Sequence, residues 1–142
     1  MVFSFVLGVK IYHGERMFPA VKDGDLVIFS RLSKPIRGDV AVYLSEDGKP
    51  DLSRVCGTPG MEIDISPSGE LRTNGYVPME SVFYRTEPHP EGDLLYPLVV
   101  GEGAFFLLDD YRTIGKDSRL YGELPRERVL GKVIYIVRRR GF

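Results

Sequence analysis

The chain has 142 residues, enough for one domain, or a core with a small lobe, and too few for two large independent domains. Its 19 basic and 20 acidic residues leave a formal charge of -1, which excludes the basic footprint of a nucleic-acid binder. The single cysteine, Cys56, excludes an intramolecular disulfide framework and a cysteine-rich zinc site; between Val55 and Gly57 it reads as a small core residue.

In chain order, the apolar opening Val2 to Val9 is far shorter than the roughly 20 residues that cross a bilayer. It lacks the polar residues of a frayed terminus, as though a hydrophobic anchor preceded it. Sixteen Gly and ten Pro break the chain into short apolar runs without sustained helical periodicity, the pattern of a β protein. Strands are predicted at Phe5-Ile11, Leu26-Arg31, Val40-Leu44, Glu62-Ile65, Ala104-Leu108 and Lys132-Val137. The run Leu26-Val27-Ile28-Phe29 has no alternation and predicts a strand covered on both faces. Asp23-Gly24, Asp47-Gly48, Ser68-Gly69 and Asn74-Gly75 mark turns, the Asn-Gly pair suiting a two-residue hairpin. Residues 66-97 carry five prolines and weak patterning, and read as a lobe inserted into a core of residues 1-65 and 98-142. The one helical candidate is the turn at Pro125-Arg128. The closing Arg138-Arg139-Arg140 reads as a solvated end, or as a contact for anionic lipid if the anchor exists.

Four segments in one order carry the functional signal. They are Gly14-Glu15-Arg16-Met17-Phe18-Pro19-Ala20-Val21 with Asp23-Gly24-Asp25, then Arg37-Gly38-Asp39-Val40-Ala41-Val42, then Ser53-Arg54-Val55-Cys56-Gly57-Thr58-Pro59-Gly60, and finally Asp109 to Arg119. Together they resemble the type I signal peptidases, membrane-anchored serine proteases with a Ser-Lys dyad. The family patterns are Gly-x-Ser-Met-x-Pro-Thr-Leu, Arg-Gly-Asp-Ile-Val-Val, Lys-Arg-Val-Ile-Gly-x-Pro-Gly-Asp and Gly-Asp-Asn-Arg-x-x-Ser-x-Asp-Ser-Arg. The likeness spans roughly residues 5-137 and implies a mostly β, LexA/signal-peptidase-like fold of antiparallel sheets with little helix. LexA-like repressors share the chemistry, but the Asp-Ser-Arg segment and two-lobed length favour the peptidases. Arg37-Gly38-Asp39 also spells an integrin-recognition triplet, and its place at a strand entrance favours a turn.

The departures fall where the chemistry belongs. The resemblance assigns the nucleophile seat to Arg16, whose guanidinium stays protonated and cannot attack a carbonyl. It assigns the general-base seat to Ser53, a hydroxyl far too weak to activate anything. Gly115 takes the place of the orienting Ser, and Met61 that of the Asp ending the third segment. Losing a nucleophile or its base costs on the order of a million-fold in rate in dissected triads. The resemblance further implies a bracing polar network of Arg54, Asp110, Arg112, Asp117 and Arg119. A rescue by Ser53 with Lys22, Lys49 or Lys116 as base requires about 3 Å between them in a dry pocket, and those lysines sit beside turns. His13 and His89 read as surface or rim residues.

These readings predict a pseudoenzyme that binds a peptide as an added strand between His13, Gly14, Glu15, Arg16, Met17 and Phe18 on one side and Leu52, Ser53 and Val55 on the other. Arg16 either blocks this groove or clamps a carboxylate. Inactive members of the family accompany pilus assembly in Gram-positive bacteria, so the implied role is a chaperone or assembly factor for a secreted or pilus subunit, at the outer face of the cell membrane. An active peptidase with an altered dyad is the alternative, and a structural relic a third. No metal ligands at coordinating spacing and no phosphate-cradling loop support a cofactor, and no nucleic-acid partner is expected.

Overall fold

The computed structural model describes residues 6-80, 82 and 84-138. Its strands are β1 (Leu7–Ile11), β2 (Leu26–Ser30), β3 (Val40–Leu44), β4 (Pro50–Gly57), β5 (Glu62–Ile65), β6 (Leu71–Thr73), β7 (Leu98–Val99), β8 (Ala104–Leu108), β9 (Leu124–Pro125) and β10 (Val129–Val137). Among the described residues a short helix, α1 (Ser118–Tyr121), and a 3-10 turn at Arg126–Arg128 accompany the strands. The fold is mostly β, as expected. A seven-stranded antiparallel sheet runs β1-β2-β10-β3-β4-β8-β9, and a three-stranded sheet runs β6-β5-β7.

Val40–Leu44, Glu62–Ile65 and Ala104–Leu108 begin and end where the sequence places them. Phe5 lies outside the described residues, β1 starts at Leu7 and leaves out Val6, β2 stops one residue early at Ser30, and β10 starts three residues early at Val129. The unforeseen strand β4 matters most, because it pairs with β3 and β8 at the centre of the sheet. Its sequence Pro50–Gly57 carries Asp51, Ser53 and Arg54, polar residues that hide a strand from any reading of hydrophobic pattern. Helix α1 was equally hidden: it is four residues long and held by its N-cap, Asp117, whose side chain accepts from the Arg119 backbone N–H.

The turn signals hold. Asn74 and Gly75 both have positive φ (51° and 84°), and Thr73 and Tyr76 exchange backbone hydrogen bonds across them, the two-residue hairpin that Asn-Gly favours. Asp47-Gly48 lies in the turn joining β3 to β4, closed by Gly48 N–H to the Ser45 carbonyl at 3.0 Å. At Gly131 the ladder between β10 and β3 shifts register. A Cβ there would stand 2.2 Å from the carbonyl oxygen of Ser30 on β2, the other neighbour of β10, so only glycine lets the β10 and β2 backbones approach.

Three apolar clusters anchor the sheets. One gathers Tyr12, Met17, Val21, Val27, Phe29, Val40, Val42 and Leu52; a second joins Ile63, Ile65 and Leu71 of the small sheet to Phe106 and Leu108 of the large one; a third packs Ala41, Tyr43 and Val55 with Phe105 and Leu107. β2 is not covered on both faces as its unbroken apolar run suggested. Val27 and Phe29 are buried, whereas Leu26 and Ile28 are only half-buried. On that outer side the register sets Val9 beside Ile28 and Tyr135, and Ile11 beside Leu26 and Val137. Val9 and Tyr135 are 64% and 62% exposed, so the run is apolar on both faces but covered on one. Phe106 is fully buried between the two sheets; Phe106→Ala is expected to cost about 3–5 kcal/mol of stability, measured by urea unfolding.

Candidate functional site

Residues 12 to 25 form a loop that leaves β1 and returns to β2, closed by Tyr12 N–H to Asp25 O (2.9 Å), Gly24 N–H to Tyr12 O (2.7 Å) and Gly14 N–H to an Asp23 carboxylate oxygen (2.8 Å). Arg16 rides on this loop, and its carbonyl accepts from the Tyr111 N–H at 2.9 Å. β4 carries Ser53 opposite Ala41 of β3. The end of β8 delivers Asp109 and Asp110. Three distant stretches thus meet at one point.

The centre is Asp109, with 0% of its side chain exposed. One oxygen accepts from Ser53 Oγ at 2.8 Å. The other accepts from the Lys116 backbone N–H at 3.0 Å and faces Arg16 Nη1 at 3.3 Å. Arg16 Nη2 is ion-paired with Asp51, and Nη1 also donates to the Lys116 carbonyl at 3.2 Å. Burial works against the Arg16 charge, but Asp109 and Asp51 outweigh it, so the guanidinium is held still more firmly protonated than usual. For Asp109, burial and the neighbouring Asp117 carboxylate push the pKa up to about 7, against the opposing pull of Arg16 and Ser53. Tyr12 and Tyr43 flank the cluster; burial first and the Asp51 carboxylate second raise both phenols, Tyr12 to about 12.

Asp109 sits where the signal peptidase pattern has Gly, and Gly115 where it has Ser. The two positions adjoin in space. A Cβ on Gly115 would lie 3.2 Å from the Asp109 Cβ, 2.7 Å from an Asp117 oxygen and 2.6 Å from an Arg119 nitrogen. A side chain at 115 therefore crowds the Asp117–Arg119 pair first and Asp109 next. Neither Asp109 nor Asp51 was picked out from sequence; the Gly-to-Asp departure at 109 was the available signal.

The five network residues form linked hubs rather than one cluster. Arg54 holds Asp110 with two hydrogen bonds of 2.7 Å and reaches the Gly38 carbonyl. Arg119 holds Asp117 through Nε and Nη2, both at 2.9 Å, and donates to the Arg112 carbonyl at 2.8 Å. Asp117 in turn accepts from the Asp109 N–H at 2.9 Å. Arg112, fully buried, turns to partners the sequence did not suggest: Glu80 at 3.0 and 3.1 Å and the Thr86 hydroxyl at 2.6 Å. Both are on the 66-97 stretch, which is tied to the large sheet by this arginine and by Arg119 to the Glu87 carbonyl.

Among the expected groove residues, His13, Gly14, Glu15 and Phe18 are exposed, Arg16 is half-buried and Ser53 is fully buried. Met17 and Leu52 are corrections: both are fully buried in the first apolar cluster and line no cavity, whereas Val55, also buried, borders a different cavity from the one around Arg16. The strand alternation that turns Ser53 toward Asp109 turns Leu52 into the core. Lys22, Lys49 and Lys116 are exposed, and Lys116 is recorded in the site through its backbone. His13 faces Asp23 at 3.7 Å, both exposed. His89 accepts from the Glu91 N–H within its own turn. Arg138, expected as part of a solvated end, instead reaches Asp25 at 3.2 Å and the Ala20 carbonyl at 2.9 Å; Arg139 and Arg140 lie outside the described residues. Burial pushes the Cys56 thiol up to about 12, which suits a core residue and not a reactive one. At the Arg-Gly-Asp triplet the Asp39 carboxylate accepts from the Ile36 N–H at 2.8 Å, the turn expected there.

The sequence profile described as "Signal peptidase, peptidase S26" matches residues 1–138. Signal peptidase IB of Staphylococcus aureus is 25% identical over 153 residues, covering 95% of this chain and 80% of that protein. Signal peptidase I of Leptolyngbya laminosa is 26% identical over 144 residues, covering 92% and 68%. In three dimensions the chain resembles a signal peptidase I from Enterococcus faecalis V583, with a TM-score of 0.57 and 24% identity over 72% of this chain and 98% of that one.

The raised Asp109 pKa has a defined sign. Below the ordinary carboxylate value of 3.8 the proton is bound in folded and unfolded chains alike; between there and about 7 only the folded chain keeps it. The stability it contributes is therefore fully present at low pH and lost as pH rises through that window. Asp109→Asn is expected to flatten the pH dependence of unfolding free energy between pH 4 and 7, measured by denaturant titration at each pH.

Proposed function

The chain belongs to the signal peptidase family, peptidase S26, and from that membership we propose that it holds a secreted polypeptide without cutting it, as a chaperone or assembly factor for a secreted fibre or pilus subunit at the outer face of the cell membrane. The observation that carries this reading is the Asp109 cluster. Cleavage in this family's manner needs a hydroxyl nucleophile beside a neutral amine. At the nucleophile seat stands a guanidinium committed to two carboxylates. At the base seat the Ser53 hydroxyl is fully buried and donates to Asp109, so it neither takes a proton from another group nor meets a substrate carbonyl.

The Ser53–Asp109 hydrogen bond is the one feature favouring an active enzyme, since a carboxylate with a raised pKa is a conceivable base for a serine. Burial argues against it. A nucleophile with 0% exposure has no path to a peptide bond unless Arg16 and its partners first move aside.

What survives loss of the dyad is the means to bind. β1 ends the strand order of the large sheet, and an edge strand offers backbone groups to an extended peptide. Arg16 closes the old reaction centre and does not reach out to a partner, which favours blocking over clamping. The test is direct. Purified protein incubated with a signal-peptide-bearing preprotein is expected to give no product, and so is the Arg16→Ser/Ser53→Lys double variant, because Asp109 keeps the introduced amine protonated. Activity is expected only when Asp109→Gly and Gly115→Ser are added. Turnover by the unaltered chain that Ser53→Ala abolishes would overturn the reading. Cross-linking in cells is expected to capture a secreted subunit uncut.

No helix of the described residues is long and apolar enough to cross a membrane. The open apolar face of Val9, Ile11, Tyr135 and Val137 supports placing the domain against the bilayer interface, where such a patch loses its water. Co-sedimentation with vesicles containing phosphatidylglycerol is expected to fall several-fold in Val9→Glu/Tyr135→Glu with the thermal midpoint unchanged; undiminished binding would remove this support.

A further inference from the structure

A second cavity, apart from Arg16 and Ser53, lies between the two sheets. Its volume is about 900 Å³, and Pro19, Ala20, Val55, Leu71 and Met79 are among its walls. The space is within the range of small-ligand and peptide sites, and most of what lines it is apolar. Three charged side chains also border it, Arg37, Arg54 and Glu80. Two are already neutralised: Arg54 by Asp110 and Glu80 by Arg112. Arg37 is exposed and has no ion pair among the described residues; even the neighbouring Asp39 carboxylate is taken by the Ile36 N–H and Lys132.

An apolar trough with one uncompensated guanidinium at its rim selects an elongated apolar ligand bearing a single negative charge. A guanidinium fork recognises a carboxylate in particular, because two parallel N–H groups match its two oxygens. Met79 at the mouth is 100% exposed, and an exposed flexible thioether on a cavity rim adapts to varied apolar surfaces. We propose that this inter-sheet cavity is a binding site for an apolar chain carrying one carboxylate, with the carboxylate on Arg37 and the apolar body between Pro19, Val55, Leu71 and Met79. The site neither requires the Asp109 cluster nor depends on whether that cluster is catalytic.

The chain has four methionines, and among the described residues only Met79 lines this cavity, so methyl-labelled methionine reports on the site by NMR. Two probes separate the possible sources of the chemistry: an N-acetylated, C-amidated pentapeptide of Leu and Val with one central Glu as its single carboxylate, and decanoate. Saturable movement of the Met79 methyl signal is expected with at least one of them, with Met61 still. In Arg37→Gln the affinity is expected to fall about tenfold, while the Gln version of the peptide binds both proteins alike. Lys49→Gln, which removes an exposed charge on the β3–β4 turn, is expected to leave binding unchanged. Both Arg37 and Met79 are exposed, so neither variant, nor Met79→Asp followed through the peptide's own fluorescence label, threatens the fold. No saturable binding of either probe at millimolar concentration would overturn the proposal. So would binding indifferent to Arg37→Gln, or a shift at Met17, beside Arg16, with Met79 unmoved.

Discussion

A carboxylate with none of its surface in water is among the costlier objects a fold can hold, and Asp109 is one. It persists because every approach to it is filled: the Ser53 hydroxyl, the Lys116 amide and the Arg16 guanidinium on its oxygens, and Asp117 receiving its backbone N–H. The loop after β1, the middle of β4 and the loop after β8 are registered against one another by these contacts. Removing any one partner leaves the carboxylate short of compensation, so the arrangement behaves as a unit.

That unit occupies the place where the resemblance puts the dyad, inside a frame shared with the signal peptidases. The arginine hubs further along the 109-119 loop do mechanical work: Arg112 and Arg119 fasten the 66-97 stretch to the large sheet through Glu80, Thr86 and the Glu87 carbonyl. Apolar packing of Ile63 and Leu71 against Phe106 and Leu108 supports the same junction. Polar and apolar contacts thereby fix the two sheets relative to each other, and the cavity near Arg37 is the space they leave.

Much of the fold was legible because its cues are local. Short Val, Ile and Phe runs between Gly and Pro gave β3, β5 and β8 to the residue, and Asn74-Gly75 announced its hairpin. β4 was not legible, since Asp51, Ser53 and Arg54 put polar side chains on a strand whose partners are supplied from far away in sequence. The site divides in the same way. That Arg16, Ser53 and Gly115 stand where the family pattern has Ser, Lys and Ser was readable from ordered motifs. The contacts around them were not, because Asp109 with Ser53, and Arg112 with Glu80, are separated by 56 and 32 positions, and nothing in spacing alone pairs them. Met17 and Leu52 went astray for a related reason: their motif neighbours face the site, but the loop's turn sends Met17 inward and alternation along β4 does the same for Leu52.

The crowding at position 115 bears on any redesign of this centre. A side chain placed there meets Arg119, Asp117 and Asp109 together, and each of those holds a partner in a different stretch of chain, so the position accepts bulk only if its neighbours are recut in the same step.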